Sequence, residues 1–268
     1  MKVNELITRL NKKFPEYIQE PYDNTGSQIL FHEDDIEKIY ICLDADFNTV
    51  NDARQKGCNL IISHHPLIFR PIKKIISTES KSGIIIDVIS SRMSLYSMHT
   101  NFDKIMYKKL SDFLGYPGSV PLIKTHEIEN ADTGFGSFIM LGKEKKFNEI
   151  LYETRSKLGL DFILYSGDEE QVIRSIAFIN GSGGGSIEKV ISTHKPDCII
   201  TGDVSYHHSK YAIDCGTAVI DAGHFGTEFI FKKLLAESVD EVLYDEKIGI
   251  IISEVEKNPF KVYYKNEK

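Results

Sequence analysis

Four of the nine histidines in this 268-residue chain fall in three short segments. The first segment, NLIISHHPLIF, places His64 and His65 directly after an apolar run. Such a run predicts a buried strand, and the ligands of open α/β sheets bind at the carboxyl ends of strands. Neighbouring side chains on an extended chain diverge, so this pair is suited to contacting two metal ions rather than chelating one. A pair of surface-loop histidines is the alternative interpretation.

The second segment, LYSMHTNFDK, is a further apolar run that ends in His99 and Asp103. It supplies an imidazole and a carboxylate at the same kind of strand end. Asp is also a favoured residue at the N-terminus of a helix, and a helix is predicted directly after it. Asp103 is therefore either a metal ligand or a helix cap.

The third segment, VIDAGHFGTEFIFKKLL, carries His224 and Glu228 where a strand gives way to a helix. Residues four apart in a helix point to the same side, roughly one 5.4 Å turn from each other. A carboxylate there can bridge two cations about 3.5–4 Å apart, the spacing of two-metal hydrolytic sites. The alternative is an exposed i,i+4 pair that holds no ligand.

Together the three segments predict a metal site whose donors are all nitrogen or oxygen. Such a set suits two divalent ions of Zn, Mn, Fe, Co or Ni and does not choose among them. None of the four cysteines forms a CxxC pair, so a thiolate zinc site is disfavoured, and Cys42 and Cys198, which lie in apolar runs, are expected to be buried. Without thiolates, the site is typical of a catalytic rather than a structural metal. The predicted ligands are His64, His65, Asp103, His224 and Glu228.

The elements that must position these residues alternate along the chain as short apolar runs and amphipathic stretches. The runs predict strands at 39–43, 59–63, 94–98, 133–141, 175–179, 198–201, 217–220 and 249–253. This alternation predicts an α/β protein with two interleaved lobes, whose mixed or parallel sheets are covered by helices and carry the metal site at the carboxyl edges of their strands.

Helices are predicted between most of these strands, at 3–14, 48–55, 82–91, 104–114, 147–158, 187–193 and 227–236. The Gly- and Pro-rich stretch GYPGSVPL is the best candidate for a domain boundary. We therefore expect a first α/β lobe over residues 1–120 and a second over 121–216. Residues 217–268 are expected to pack back onto the first lobe.

Composition and charge exclude several classes of protein. The 32 basic and 39 acidic residues leave a net charge of −7, which argues against a duplex nucleic-acid partner because phosphate binding needs a basic surface. No apolar run reaches the roughly 18 residues of a membrane span, and the first residues, MKVNELITRLNKKFP, lack the apolar core of a signal peptide. We expect a cytoplasmic protein with no membrane partner.

With these motifs the chain resembles the Nif-three-like proteins, the GTP cyclohydrolase 1 type 2 homologue family, over nearly its whole length. The combination of SHHPLIF, HTNFD and GHFGTE is highly specific, and DNTGSQI, LDADFNTVNDA and NGSGGGSI extend it. The chain matches the short form of the family, which lacks an insert domain. Two positions depart from the family pattern: Ser27 stands where an apolar residue is usual, and His208 where an acidic residue is common.

The resemblance implies a site with two metal ions. One ion would be held by His64 and Asp103, the other by His65 and His224, and Glu228 would bridge both. His99 would lie close by as an additional ligand or as an acid/base group. The family also implies a homo-oligomer, a hexameric ring of dimers.

Three further polar residues and one loop are weaker candidates for substrate contact. Asn24 and Gln28 can present amides to a substrate, although turn-forming residues are the alternative, and His207 lies in a segment that leads toward the site. The loop GSGGGS can cradle an anion with its backbone N–H groups, or it can be a flexible rim or a tight packing turn.

The function expected from these residues is hydrolysis. Two cations lower the pKa of a bridging water, which attacks a nucleotide-like small molecule, and His99 shuttles the proton. GTP ring opening is the reaction that the family name implies. The alternatives are a non-catalytic metal-handling protein that acts through partners, and a metal-dependent phosphoesterase.

Overall fold

The computed structural model describes residues 1–244 and 246–263, which divide into two compact units. The first unit comprises Met1–Phe102 and Ile230–Lys257, and the second comprises Asp103–Phe229 and the segment from Asn258. Each unit is a mixed sheet with helices packed on it, which confirms the predicted α/β class. Among the described helices, none has both the length and the apolar character needed to cross a bilayer.

The sheet of the first unit has five strands in the order β1-β4-β3-β2-β11. The strands are β1 (Gly26–Ile29), β2 (Lys38–Cys42), β3 (Leu60–Ser63), β4 (Ser94–Ser97) and β11 (Gly249–Ile252). All pairings are parallel except that of β1 with β4. Every residue of β3 and β4 is buried, as is usual for the central strands of a parallel sheet covered by helices, and the apolar residues of both strands fit this environment.

Four helices lie entirely within the first unit: α1 (Val3–Lys13), α2 (Phe47–Gln55), α3 (Ser80–Ser90) and α10 (Phe231–Leu243). Helix α1 buries one apolar face and packs against α10, which in turn packs on β2 and β11. Asp46 caps the N-terminus of helix α2, and its carboxylate accepts a hydrogen bond from Thr49 N at 2.8 Å. A fifth helix, α4 (Thr100–Ile105), follows β4.

The sheet of the second unit has six strands in the order β5-β6-β8-β9-β10-β7. The strands are β5 (Val120–Ile128), β6 (Ala131–Lys146), β7 (Leu164–Ser166), β8 (Val172–Phe178), β9 (Cys198–Thr201) and β10 (Ala218–Asp221). Only β8, β9 and β10 are mutually parallel, and the remaining pairings are antiparallel. The helices are α5 (Lys109–Phe113), α6 (Phe147–Lys157), α7 (Ile187–His194), α8 (Tyr206–Asp214) and α9 (His224–Glu228).

The structure contains three strands and one helix that the sequence patterns do not predict. Strands β1 and β5 lie at sheet edges, as does β7, and their residues are only partly buried, so they lack the apolar runs of central strands. Helix α8 buries only Ala212 and therefore shows little amphipathic pattern. The helices predicted at 104–114 and 227–236 are each interrupted, so α4 and α5, and likewise α9 and α10, are separate elements.

The division between the units also differs from the predicted lobes. Strand β10 pairs in parallel with β9, which keeps residues up to Phe229 in the second unit, whereas 217–229 were expected to pack on the first. The return to the first unit begins at Ile230. The first boundary falls at Phe102 and Asp103 rather than at 120 and 121, so α5 belongs to the second unit.

Candidate metal centre

The carboxyl edge of the first sheet brings three histidines together. Strands β3 and β4 are parallel neighbours with Ser63 opposite Ser97, so the residues that follow them leave the sheet at the same edge. His64 and His65 follow β3, and His99 follows β4 by two residues. One ring nitrogen of each histidine lies within 4.8 Å of the other two. This is the strand edge at which the sequence predicts a metal site, and three imidazoles form a donor set that suits a divalent transition metal.

His64 is fully buried, and its ring is held from two sides. Its Nδ1 lies 2.9 Å from the carbonyl oxygen of Met98. Because a carbonyl only accepts hydrogen bonds, Nδ1 carries the proton and Nε2 is the nitrogen with the lone pair. The ring centroid lies 5.4 Å from that of Phe231 and 6.5 Å from that of Phe102, so packing fixes its plane.

Carboxylates perform the same task for the other two histidines. Nδ1 of His65 lies 3.0 Å from Oδ1 of Asp44, and Nδ1 of His99 lies 2.8 Å from Oδ1 of Asp23. A carboxylate that accepts from Nδ1–H fixes the tautomer and orients the ring, as is usual for histidines that bind metals. All three histidines of the cluster thus present Nε2 as the donor atom.

Asp23 is ionised at neutral pH. Burial opposes its ionisation, but hydrogen bonds from His99 and Thr100 outweigh that effect and lower the pKa of Asp23 to about 2. The backbone N–H of Thr100 donates to Oδ2 at 3.1 Å. Asp23 is therefore a fixed acceptor for the Nδ1 proton of His99.

In the second unit, His224 and Glu228 lie one turn apart on α9, as the sequence predicts. Nε2 of His224 is 2.9 Å from Oε2 of Glu228, and Nδ1 is 2.9 Å from Oδ2 of Asp203. Glu228 is only 3% exposed, so the interpretation of an exposed pair is wrong. A buried carboxylate is costly unless it is paired or coordinates a metal, which makes Glu228 a credible bridging ligand.

Asn180, directly after β8 and Ile179, connects the two carboxylates of this unit. Its Nδ2 donates to Oδ1 of Asp103 at 3.0 Å and to Oε1 of Glu228 at 3.4 Å. Asp103 lies inside α4, three residues beyond its first residue, so the interpretation of Asp103 as a helix cap is wrong. The second unit thus holds two carboxylates and one imidazole of the predicted ligand set.

The glycine-rich loop behaves as a tight packing turn rather than as an anion cradle. A Cβ on Gly181 would lie 2.0 Å from Oε1 of Glu228, and one on Gly184 would lie 2.2 Å from the carbonyl oxygen of Asp203. The N–H of Gly181 donates to Oγ1 of Thr227 at 2.8 Å, so it is already satisfied within the protein. The loop allows close approach of the backbone to the site residues.

The three candidates for substrate contact, Asn24, Gln28 and His207, make contacts within the protein. Asn24 donates from Nδ2 to the carbonyl of Ile68 at 2.6 Å, and Gln28 accepts from the N–H of the same residue at 3.0 Å. Both amides therefore anchor the loop after His65, in agreement with a structural role. His207 lies exposed on α8 with its ring edge against Tyr206. A substrate role for Asn24, Gln28 and His207 stays a prediction.

Sequence reasoning missed the residues that orient the ligands. Asp44 and Asp203 each follow a parallel strand by two residues, so the argument that found the histidines would also have found them. Asp23 precedes β1, which runs antiparallel to β4, so Asp23 lies at the same sheet edge as the histidines. No local sequence pattern predicts that position. For Asn180, the indication in the sequence is its position directly before the glycine-rich loop.

Known proteins resemble this chain over nearly its whole length. The family model Duf34/NIF3 (NGG1p interacting factor 3) matches residues 1–259. The chain is 33% identical to a GTP cyclohydrolase 1 type 2 homolog of Clostridium perfringens, over 97% of this chain and 99% of the relative. It is 30% identical to a GTP cyclohydrolase 1 type 2 of Helicobacter pylori, over 97% of this chain and 98% of the relative.

A solved structure supports the fold. The Bacillus cereus protein related to NIF3 superimposes with a TM-score of 0.90, at 19% identity, and covers 98% of this chain and 99% of its own. The match to the family model extends over both units and includes the segments that carry every predicted metal ligand. This chain therefore belongs to the Duf34/NIF3 family.

Proposed function

We propose that this chain is a dinuclear metal-dependent hydrolase that acts on a nucleotide-like small molecule. The observation that carries the proposal is the histidine cluster at the edge of the first sheet, in which one nitrogen of each ring lies within 4.8 Å of the others. Each ring is anchored at Nδ1 by an acceptor. Rings held in this way are prepared to donate from Nε2 without reorganising.

The proposed ligand assignment follows the family resemblance. In this assignment His64 and Asp103 would hold one divalent ion, His65 and His224 would hold the second, and Glu228 would contribute a carboxylate to both. The donors are imidazole nitrogens and carboxylate oxygens, which fit Zn, Mn, Fe, Co or Ni. Two such ions, when bound, would lower the pKa of a water molecule and polarise a substrate oxygen.

His99 is the proposed acid/base group. Its Nδ1–H is committed to the ionised Asp23, so Nε2 is the atom that accepts a proton from the nucleophile and returns it to the leaving group. The negative charge of Asp23 stabilises the protonated ring during that step. His65 lies beside it, with ring centroids 5.4 Å apart, so His99 faces the same space as a proposed ligand.

The relatives supply the substrate class to test first. The Helicobacter pylori relative is named GTP cyclohydrolase 1 type 2, so GTP is the first substrate in the proposed assay. A generic phosphodiester such as bis(p-nitrophenyl) phosphate separates a phosphoesterase from a cyclohydrolase. By the same resemblance we propose that the chain forms a homo-oligomer.

The decisive experiment measures metal content and GTP consumption for wild type and Glu228→Gln in parallel. We expect about two transition-metal ions per chain in wild type and a sharp loss in the variant, because the amide cannot bridge two cations. Glu237→Gln, at an exposed position of α10, is the matched control. A wild-type protein that binds no metal after reconstitution overturns the proposal. Metal without turnover of any substrate would favour the metal-handling alternative.

A further inference from the structure

A cleft of about 570 Å³ opens in the second unit beside His224. One part of its wall is the segment between α6 and β7, which contributes Phe162, and another is Val204, which follows β9. Residues Asp221 to His224, at the end of β10, form a third part, and the C-terminal segment from Asn258 forms a fourth, which includes Phe260 and Tyr263. The cleft is therefore built from distant parts of the chain and has a proposed metal ligand in its wall.

The walls of the cleft are mainly apolar. Eight of the fourteen lining residues have apolar or aromatic side chains, and three of those are the aromatic residues Phe162, Phe260 and Tyr263. Binding sites for small molecules are typically 300–1,000 Å³ in volume and combine apolar walls with a few placed polar groups. The cleft has both the volume and the character of such a site.

The two carboxylates in the wall have protein partners. The oxygens of Asp221 accept from the N–H groups of Val204 and Gly223, both at 2.9 Å. Asp203 accepts from Nδ1 of His224 at 2.9 Å. These hydrogen bonds satisfy the carboxylate oxygens within the protein, and Lys261 adds a cation to the wall. The cleft can therefore accept an uncharged ring, and Lys261 can pair with an anionic group attached to it.

The C-terminal aromatic residues are notable for their exposure. Phe260 is 73% exposed and Tyr263 is 93% exposed, although both line the cleft. Aromatic rings displayed beside a cavity provide stacking surfaces for flat ligands, and such stacking tolerates any base because every base has a π-face. Exposed apolar surface of this kind commonly marks a ligand site.

We propose that this cleft binds the heterocyclic ring of a nucleoside-type substrate by stacking on its aromatic side chains, with the reacting end of the substrate directed toward His224. The inference rests on the proposed function, because that function makes His224 a metal ligand. The inference adds aromatic residues that would select a flat ring, Phe162, Phe260 and Tyr263, and none of them belongs to the proposed metal centre. It also assigns a role to the C-terminal segment, which joins the second unit after the chain has completed the first.

The test measures binding of guanosine to the full chain by titration calorimetry. Guanosine has no phosphate, so its binding reports on the ring and the sugar rather than on an attached anion. We expect Phe260→Ala to weaken guanosine binding roughly tenfold or more, and Phe260→Tyr to retain it. Tyr152→Ala, which removes an aromatic ring of similar exposure on α6 outside the cleft, should bind guanosine like wild type.

Two results would overturn the cleft assignment: wild type that does not bind guanosine at millimolar concentration, or Phe260→Ala that binds as tightly as wild type. Thermal unfolding of each variant shows that it is folded, which is expected because Phe260 is exposed. Metal content and GTP consumption measured on the same samples separate the two proposals. Guanosine binding without bound metal or turnover would support the cleft assignment and overturn the hydrolase proposal. Turnover with a KM for GTP that is unchanged in Phe260→Ala would overturn only the cleft assignment.

Discussion

Nδ1 of His99 lies 2.8 Å from Oδ1 of Asp23, a residue 76 positions away in the sequence. The same arrangement recurs between His65 and Asp44 at 3.0 Å. In each case a carboxylate at a strand end fixes which nitrogen of the ring is available for chemistry. Each histidine and its acceptor therefore act as a pair, so substitution of either residue should change metal binding or turnover.

Substitution of His99 by Gln should separate catalysis from metal binding. If His99 is the proton shuttle, the rate of GTP consumption should fall by roughly 10²–10⁴-fold while both metal ions remain bound. Metal content by mass spectrometry and turnover are measured on the same preparation. His32→Gln, at an exposed histidine, is the control. Loss of a metal ion from the His99 variant would instead make this residue a ligand.

Asp203→Asn should weaken metal binding without disturbing the backbone. Asp203 has φ of 55°, a left-handed conformation that Asn tolerates about as well as Asp, so the variant removes chiefly the charge that holds His224. We expect metal affinity to fall by about 10–100-fold, measured by competition with a chelator. Asp214→Asn, at an exposed residue paired with Lys210 on α8, should not change the affinity. Equal affinities for both variants would contradict a positioning role for Asp203.

Gly181→Ala tests the close approach of the glycine loop to Glu228. A Cβ at this position would lie 2.0 Å from Oε1 of Glu228, so the carboxylate must move. Gly159→Ala is a matched control, because Gly159 has φ of 63° against 62° for Gly181 but has no atom within 4 Å of the added Cβ. Both variants should lose about 1–2 kcal/mol of unfolding free energy through backbone strain.

Of the two variants, Gly181→Ala alone should also lose bound metal. The measurements are denaturant unfolding and metal content. Full metal occupancy in Gly181→Ala would show that Glu228 does not need its observed position, which would remove it from the proposed bridging role.

The free energy of unfolding should depend on Glu153 at acid pH. Burial opposes ionisation of Glu153, but hydrogen bonds from Lys145 at 2.6 Å and Tyr116 at 2.6 Å outweigh it and lower the pKa of this carboxyl below its usual 4.5. A lowered folded-state pKa stabilises the fold above pH 4.5, and this contribution is lost as the pH falls through the folded-state value.

Glu153→Gln should therefore lower the free energy of unfolding at pH 7 by about 1–3 kcal/mol and flatten its decline between roughly pH 5 and pH 3. Denaturant titrations across this range measure both effects. Glu149→Gln, on the same helix and exposed, should leave the profile unchanged. A variant profile that declines as steeply as that of wild type would refute the contribution of Glu153.

The central strands and the histidines that follow them could be predicted because their signals are local. Leu60–Ser63 and Ser94–Ser97 are buried along their whole length, and the apolar residues at their centres, Leu60 to Ile62 and Leu95 to Tyr96, are typical of that environment. Parallel strands end at a common edge, so His64 and His99 could be brought together by topology alone. The turn that joins His224 to Glu228 is likewise a property of any helix.

The amino-acid sequence by itself thus determined the α/β class, the central strands and the sequence positions of the candidate ligands. Only the tertiary structure decided that Asp23 anchors His99, that Asn180 joins Asp103 to Glu228, and that the second unit includes β10 and the C-terminal segment. These relationships join residues far apart in the chain through edge strands and loops. Edge strands and loops leave no periodic pattern, because the burial that would impose one is incomplete there.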